Sequence, residues 1–152
     1  MSNYHAANSL NQSYPTAHAD LAEQYALLGQ TDKAVSEANE AIRLSPDDLM
    51  IFWRYHYIAV AKFVAGDDVE AFEVSRKVVR LKPGFVRGAL YLAAAAAATD
   101  KPQEATRAIY HCLSQMPELS FTNASPGFAP RYVQDRHHQR FPDMLRKAGL
   151  PA

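Results

Sequence analysis

Six histidines and a single cysteine are the side chains here best suited to hold a metal or attack a substrate. A metal site on a helix needs ligands three or four residues apart, where they share one face. His137 and His138 are neighbours that diverge by about 100° around a helix, and neither His56 nor His111 has a second ligand at the required spacing. No metal is expected. Cys112 has no activating neighbour and reads as a small buried apolar residue. The chain contains no GxxxxGKS/T, GxGxxG or GxSxG run and no patterned acid–base pair, so neither a catalytic residue nor a cofactor is expected.

Residues that do no chemistry must earn their place by packing or by recognition. The 152 residues fit one domain, and the 48% apolar content is that of a globular chain. At this size folding buries roughly 70% of the unfolded surface, so no disulfide or metal is required. Sixteen basic and 16 acidic side chains cancel, a balance that favours neither nucleic acid nor an anionic membrane. The distribution is uneven: the first 76 residues hold 5 basic and 11 acidic side chains, the last 76 hold 11 and 5, giving −6 and +6. Such a dipole either orients a partner, favours head-to-tail association, or merely reflects solvated faces. The longest apolar run, residues 88–98, is far shorter than the roughly 20 residues that span a bilayer. The start, MSNYHAANSLNQ, lacks the pattern of a secretory signal, so a cytoplasmic location is expected.

An internal repeat organises the chain. Residues 27–46 read LLGQTDKAVSEANEAIRLSP, 63–83 read FVAGDDVEAFEVSRKVVRLKP, and 97–117 read AATDKPQEATRAIYHCLSQMP. Gly29 and Gly66 lie 37 apart, as do Ala34 and Ala71, and Pro46 and Pro83; Ala71 to Ala105 and Pro83 to Pro117 are 34. Each unit reads as a helical hairpin. Gly29 supplies a left-handed stop, Asp47 or Asp48 should cap a long helix reaching Ala65, Asp67 with Glu70 forms a capping box, and Pro102 opens a helix. Ala22 with Ala34, Ala59 with Ala71, and Ala93 with Ala105 fall where paired helices should touch. Cys112 takes the inward place of Ala41 and Val78. The Ala-rich run 88–98 either packs densely among its neighbours or, if one face is bare, forms a dimer surface.

These landmarks resemble the tetratricopeptide repeat (TPR), a helical hairpin of about 34 residues with small residues mid-helix and a closing proline. Three units match, 15–48, 52–85 and 86–119, with a remnant second helix at 1–13 carrying Tyr4, Ala7 and Leu10. Asp100 departs from the usual glycine, and Gln115 replaces Leu44 and Leu81. The expected fold is all-α, an α-solenoid. The resemblance implies that side chains at fixed places of each first helix line a concave groove. These are Thr16, Ala19, Asp20, Glu23 and Leu27 in the first unit, Trp53, His56, Tyr57, Val60 and Val64 in the second, and Arg87, Leu90, Tyr91, Ala94 and Ala98 in the third. Trp53, His56, Tyr57, Val60, Arg87, Leu90 and Tyr91 are the candidate partner-binding residues, because Trp, Tyr and Arg anchor interfaces with large area and few rotors. Packing between hairpins is the competing role for Trp53, Tyr55 and Phe63, and the better reading for the last two. The Lys/Asn/Arg carboxylate clamp of some such domains is not matched, since the first unit offers Asp20 and Glu23 and only Arg87 is basic. An apolar peptide or helix suits the groove better.

Beyond Pro117 the pattern changes. ELSFTNASPGFAP is turn-rich, and residues 131–148 read as an amphipathic helix carrying Tyr132, Val133, His137, Phe141, Met144 and Leu145. Pro142 should kink it or start a second helix, and the whole 120–152 segment is expected to cap the solenoid. The runs FWRYHYIAVAKFVAGDDVEAF, RLKPGF and LRKAGLPA are similar to the C-terminal TPR segment of bacterial class III adenylate cyclases and related winged-helix regulators. That resemblance implies a non-catalytic accessory or regulatory module with a protein or peptide partner. Self-association, and with it a homo-oligomer, is the alternative.

Overall fold

A computed structural model of the chain describes residues 15–120, 122 and 135–152. The N-terminal remnant at 1–13 and most of the turn-rich stretch after Leu119 lie outside them. Among the described residues seven helices follow one another: α1 Pro15–Leu27, α2 Thr31–Leu44, α3 Ile51–Ala65, α4 Asp68–Leu81, α5 Val86–Ala98, α6 Pro102–Gln115 and α7 Asp135–Ala148. No strand occurs among the described residues. The chain is an α-solenoid of TPR-type hairpins, α1–α2, α3–α4 and α5–α6.

Short-range chemistry sets the hairpins. Gly29 and Gly66 adopt φ of 76° and 83°, the left-handed conformation that ends a helix without a Cβ penalty. In the third unit Asp100 takes that place with φ 55°, a conformation an aspartate tolerates better than most side chains. The Asp67 side chain accepts a hydrogen bond from the Glu70 N–H at 3.5 Å, capping α4. Pro102 occupies the first turn of α6, where its missing N–H costs nothing. At α3 the expected cap is displaced. The helix starts at Ile51, and Asp48 instead accepts from the Met50 N–H at 2.7 Å, closing a tight turn ahead of the helix.

Small residues set the seams. Ala22, Ala34, Ala59, Ala71, Ala93 and Ala105 are each at most 2% exposed, so paired helices close over methyl groups. A Cβ built on Gly88 would lie 2.7 Å from Val78 Cγ1, so α4 crosses α5 more closely than an alanine would allow. Helix α5 is the centre of the stack, and Ala93 to Ala97 are all buried. The Ala-rich run therefore packs against its own neighbours and has no bare face for a dimer.

First helices touch one another, α1 with α3 and α3 with α5, whereas the second helices hardly meet. A curved stack brings its elements closest on the inside, so α1, α3 and α5 form the inner wall. Helix α7 does not prolong the stack. A further first helix would sit mainly on the preceding second helix, as α3 does on α2 and α5 does on α4; α7 instead lies mainly on α5 and only lightly on α6. One continuous helix runs through Pro142, with no second helix starting there. Phe141 stacks on Tyr91 at 4.3 Å and meets Phe63 edge-on at 5.9 Å. Arg140 donates from Nη1 to the Phe63 carbonyl at 2.7 Å, pairs with Asp68, and lies over the Phe63 ring. Lys147 reaches Asp100 at 2.9 Å.

Candidate functional site

The α-helical period puts the candidate residues of α3 and α5 on the inner wall, where burial then divides them. Trp53, Tyr57 and Arg87 stay partly exposed. Trp53 is held edge-to-face against Phe85 at 4.6 Å, with Tyr57 and His56 each at 5.9 Å and the Arg87 guanidinium 5.8 Å from its centroid. Tyr57 donates its hydroxyl to Glu23 Oε2 at 3.5 Å, tying α3 to α1.

Leu90 and Tyr91 are 0% and 1% exposed and offer no area to a partner. Leu90 lies within the main core, and α7 places Phe141 directly on the Tyr91 ring. Helical spacing alone cannot register a helix that returns from far along the chain. His56 and Val60 are also buried, at 1% and 5%, but both border a small recess between α1, α3 and α5. Phe63 lies in the core and Tyr55 is partly buried beneath Lys77, which sits 4.2 Å above its ring.

Two openings lie along the inner wall. The larger, about 290 Å³, is bordered by Thr16, Ala19 and Asp20 of α1 and by Trp53, Arg54 and Tyr57 of α3, with Asp48 and Met50 at its rim. The smaller, about 30 Å³, is bordered by Glu23, Ala26 and Leu27 of α1, by His56, Tyr57 and Val60 of α3, and by Arg87 of α5. Tyr57 separates them and belongs to both.

The electrostatics of this wall are mixed. Burial raises the Asp20 carboxyl above the usual range. Asp48 is lowered, first by the Met50 N–H and then by Arg54. Burial, with a smaller contribution from the Arg87 charge, depresses His56 to about 3, so its ring is neutral. Burial and the nearby Glu23 and Asp20 charges push the Tyr57 hydroxyl upward, keeping it protonated. Beneath the wall Arg54 is 4% exposed, its Nη1 lying 3.0 Å from Asp48 Oδ2 while Nε has no hydrogen-bond partner. Among the described residues no three His, Cys, Asp or Glu side chains converge as a metal site would require. Cys112 is buried, and burial pushes its thiol up to about 12, far from a reactive thiolate. Helical spacing gave no hint of Phe85 or Arg54: Phe85 precedes α5 at a turn, and Arg54 points beneath the inner wall.

Comparison with known proteins bears on the fold. No family model matches the chain, and no curated protein matches it in sequence. Twenty-eight solved chains match it in structure. One of them, the crystal structure of MamA, superposes with a TM-score of 0.68 at 15% identity, covering 95% of this chain and 82% of that one. The likeness concerns the arrangement of helices. Among the described residues no helix is long and apolar enough to cross a membrane.

Proposed function

We propose that the chain is a non-catalytic interaction module whose concave wall binds a peptide or a segment of a partner protein. The observation that carries this reading is the placement of Trp53, Tyr57 and Arg87. Three residue types that anchor interfaces stand partly exposed together, above openings bordered by α1 and α3. The groove's occupant is a short, largely apolar segment with polar groups, since aromatic faces alternate with single charges of both signs. Its similarity to adenylate cyclase C-terminal segments, carried by the short runs quoted above, supports a cytoplasmic accessory or regulatory role in a bacterial signalling protein. Peptides selected for binding to the folded chain provide the test. Trp53→Ala combined with Tyr57→Ala should weaken them at least tenfold, whereas Tyr110→Ala on the outer side of α6 should change affinity less than twofold. Equal binding by the double variant would remove the groove from the account.

The lengthwise charge asymmetry favours one other reading, head-to-tail self-association of parent chains. Light scattering separates the two. A mass that stays at 16.9 kDa across concentration excludes self-assembly as the primary role, and a salt-sensitive rise in mass favours it.

A further inference from the structure

Helix α7 reaches the stack from its inner side. Its main support is α5 rather than α6, and its aromatic anchor Phe141 stands on Tyr91, a groove place of the third unit. The anchors then cross back to the second unit, where Phe141 meets Phe63 and Arg140 reaches both the Phe63 carbonyl and Asp68. A helix that continued the solenoid would rest on α6 and stay clear of the second unit. The inner wall is thus open beside Trp53 and Tyr57, and covered by a helix over Tyr91.

The covering helix shows what this surface recognises. Phe141, Leu145 and Ala148 are buried at i, i+4 and i+7, while Asp143, Arg146 and Lys147 are exposed. One narrow apolar stripe on a charged helix is the pattern with which amphipathic segments lie in the grooves of other proteins. The surface selects more than apolarity. The Phe141 ring is stacked on Tyr91 with planes 18° apart and set edge-on to Phe63 at 83°, a place shaped for a flat ring. Arg140 lays its guanidinium over the Phe63 ring at 4.3 Å, donates to the Phe63 carbonyl at 2.7 Å and pairs with Asp68. A lysine ammonium has no plane with which to make all three contacts. Among the described helices α7 is also the least extensively packed, so it is the one a competitor displaces most easily.

We propose that this face of α5, with Phe63 and Asp68 beside it, is a docking surface for an amphipathic helix of a partner protein, and that α7 is its built-in occupant. The partner helix carries an arginine followed by an aromatic residue and, four places after the aromatic, an aliphatic residue. Because α7 belongs to the same chain, its high effective concentration keeps mismatched helices out. The surface is separate from the Trp53 opening and does not depend on it.

A labelled peptide spanning residues 135–152 is the probe, and fluorescence anisotropy reads its binding to the full chain. Phe141→Ala in the chain weakens the built-in occupant, so this variant should bind the peptide at least tenfold more tightly than the parent does. Peptides carrying Phe141→Ala or Arg140→Lys should lose tenfold or more on that variant. Adding Trp53→Ala to the chain should change binding less than twofold. Where circular dichroism shows the Phe141→Ala chain unfolded, Arg140→Ala serves in its place, with the same order of affinities expected. On the parent chain, excess peptide should speed hydrogen exchange in the chain's own α7 while α5 stays protected. Equal binding by parent and variant, or no binding by a folded variant, would overturn the docking surface and leave the groove reading standing. Loss of binding with Trp53→Ala would put the helix in the Trp53 opening and overturn the assignment to α5. A parent chain that doubles in mass, and loses the doubling with Phe141→Ala, would make a second copy the occupant and overturn the partner helix.

Discussion

His56 is ringed by Trp53, Tyr57, Phe85 and Tyr91, with centroids at 5.9, 6.2, 4.9 and 5.3 Å. Burial first, and Arg87 second, hold its ring neutral down to about pH 3. The unfolded chain takes up that proton near pH 6.5, so the folded state binds fewer protons between about 3 and 6.5. The proton-linked cost of burying this ring is therefore absent above pH 6.5, and stability is lost as the pH falls below it. Between pH 6.5 and 5 the loss amounts to about 2 kcal/mol. His56→Phe keeps an aromatic ring without the proton site. Urea unfolding at pH 7 and pH 5 should show a smaller acid loss for the variant than for the parent chain, and equal losses would contradict this account. Arg54 makes a second prediction. It is 4% exposed with an unpaired Nε, so its burial is expensive despite the Asp48 pair. Arg54→Met should hold or raise stability, whereas Asp48→Ala strands the guanidinium and should cost about 1–3 kcal/mol by chemical denaturation.

Helices of this chain are stabilised chiefly by their seams, and among the described residues α7 is packed the least extensively. It is held to the stack by Phe141, which is 0% exposed, by Leu145, and by the Arg140 contacts with α3 and α4. Phe141→Ala deletes the Tyr91 stack and should cost about 3–5 kcal/mol, the usual loss for a buried Phe. Hydrogen exchange should then show α7 amides opening ahead of those in α5, and simultaneous opening would mean that α7 is not a separable cap. The three hairpins could be read from the sequence because their causes are local: a glycine stop, a proline near each boundary, and alanines spaced to form a seam. In α1 and α3 a fixed helical phase brings Asp20, Glu23, Trp53 and Tyr57 to the openings between these helices. Tyr91 and Leu90 could not be sorted in this way. Their burial is decided by the helices packed around α5, among them α7 with Phe141 some fifty residues further on, and such packing leaves no periodic trace. The start of α3 was misplaced for a smaller reason: Asp48 closes a turn with its side chain and so cannot also cap the helix.

Across the whole molecule the inner wall and the outer helices make different surfaces from one repeat. First helices touch and present aromatic and charged groups at α1, α3 and α5, while the outer second helices carry scattered residues such as Val69 and Tyr110, 66% and 69% exposed. A scaffold of this kind should recognise a partner without rearranging its core, because the alanine seams leave little room for sliding. Amide chemical shifts mapped along the labelled chain, as a selected peptide is titrated in, put the idea to its most direct trial. The largest changes should fall in α1, α3 and α5 and include the Trp53 indole N–H, with the Tyr110 region of α6 unmoved. Changes concentrated in α2, α4 and α6 would place recognition on the outer surface and contradict the concave groove.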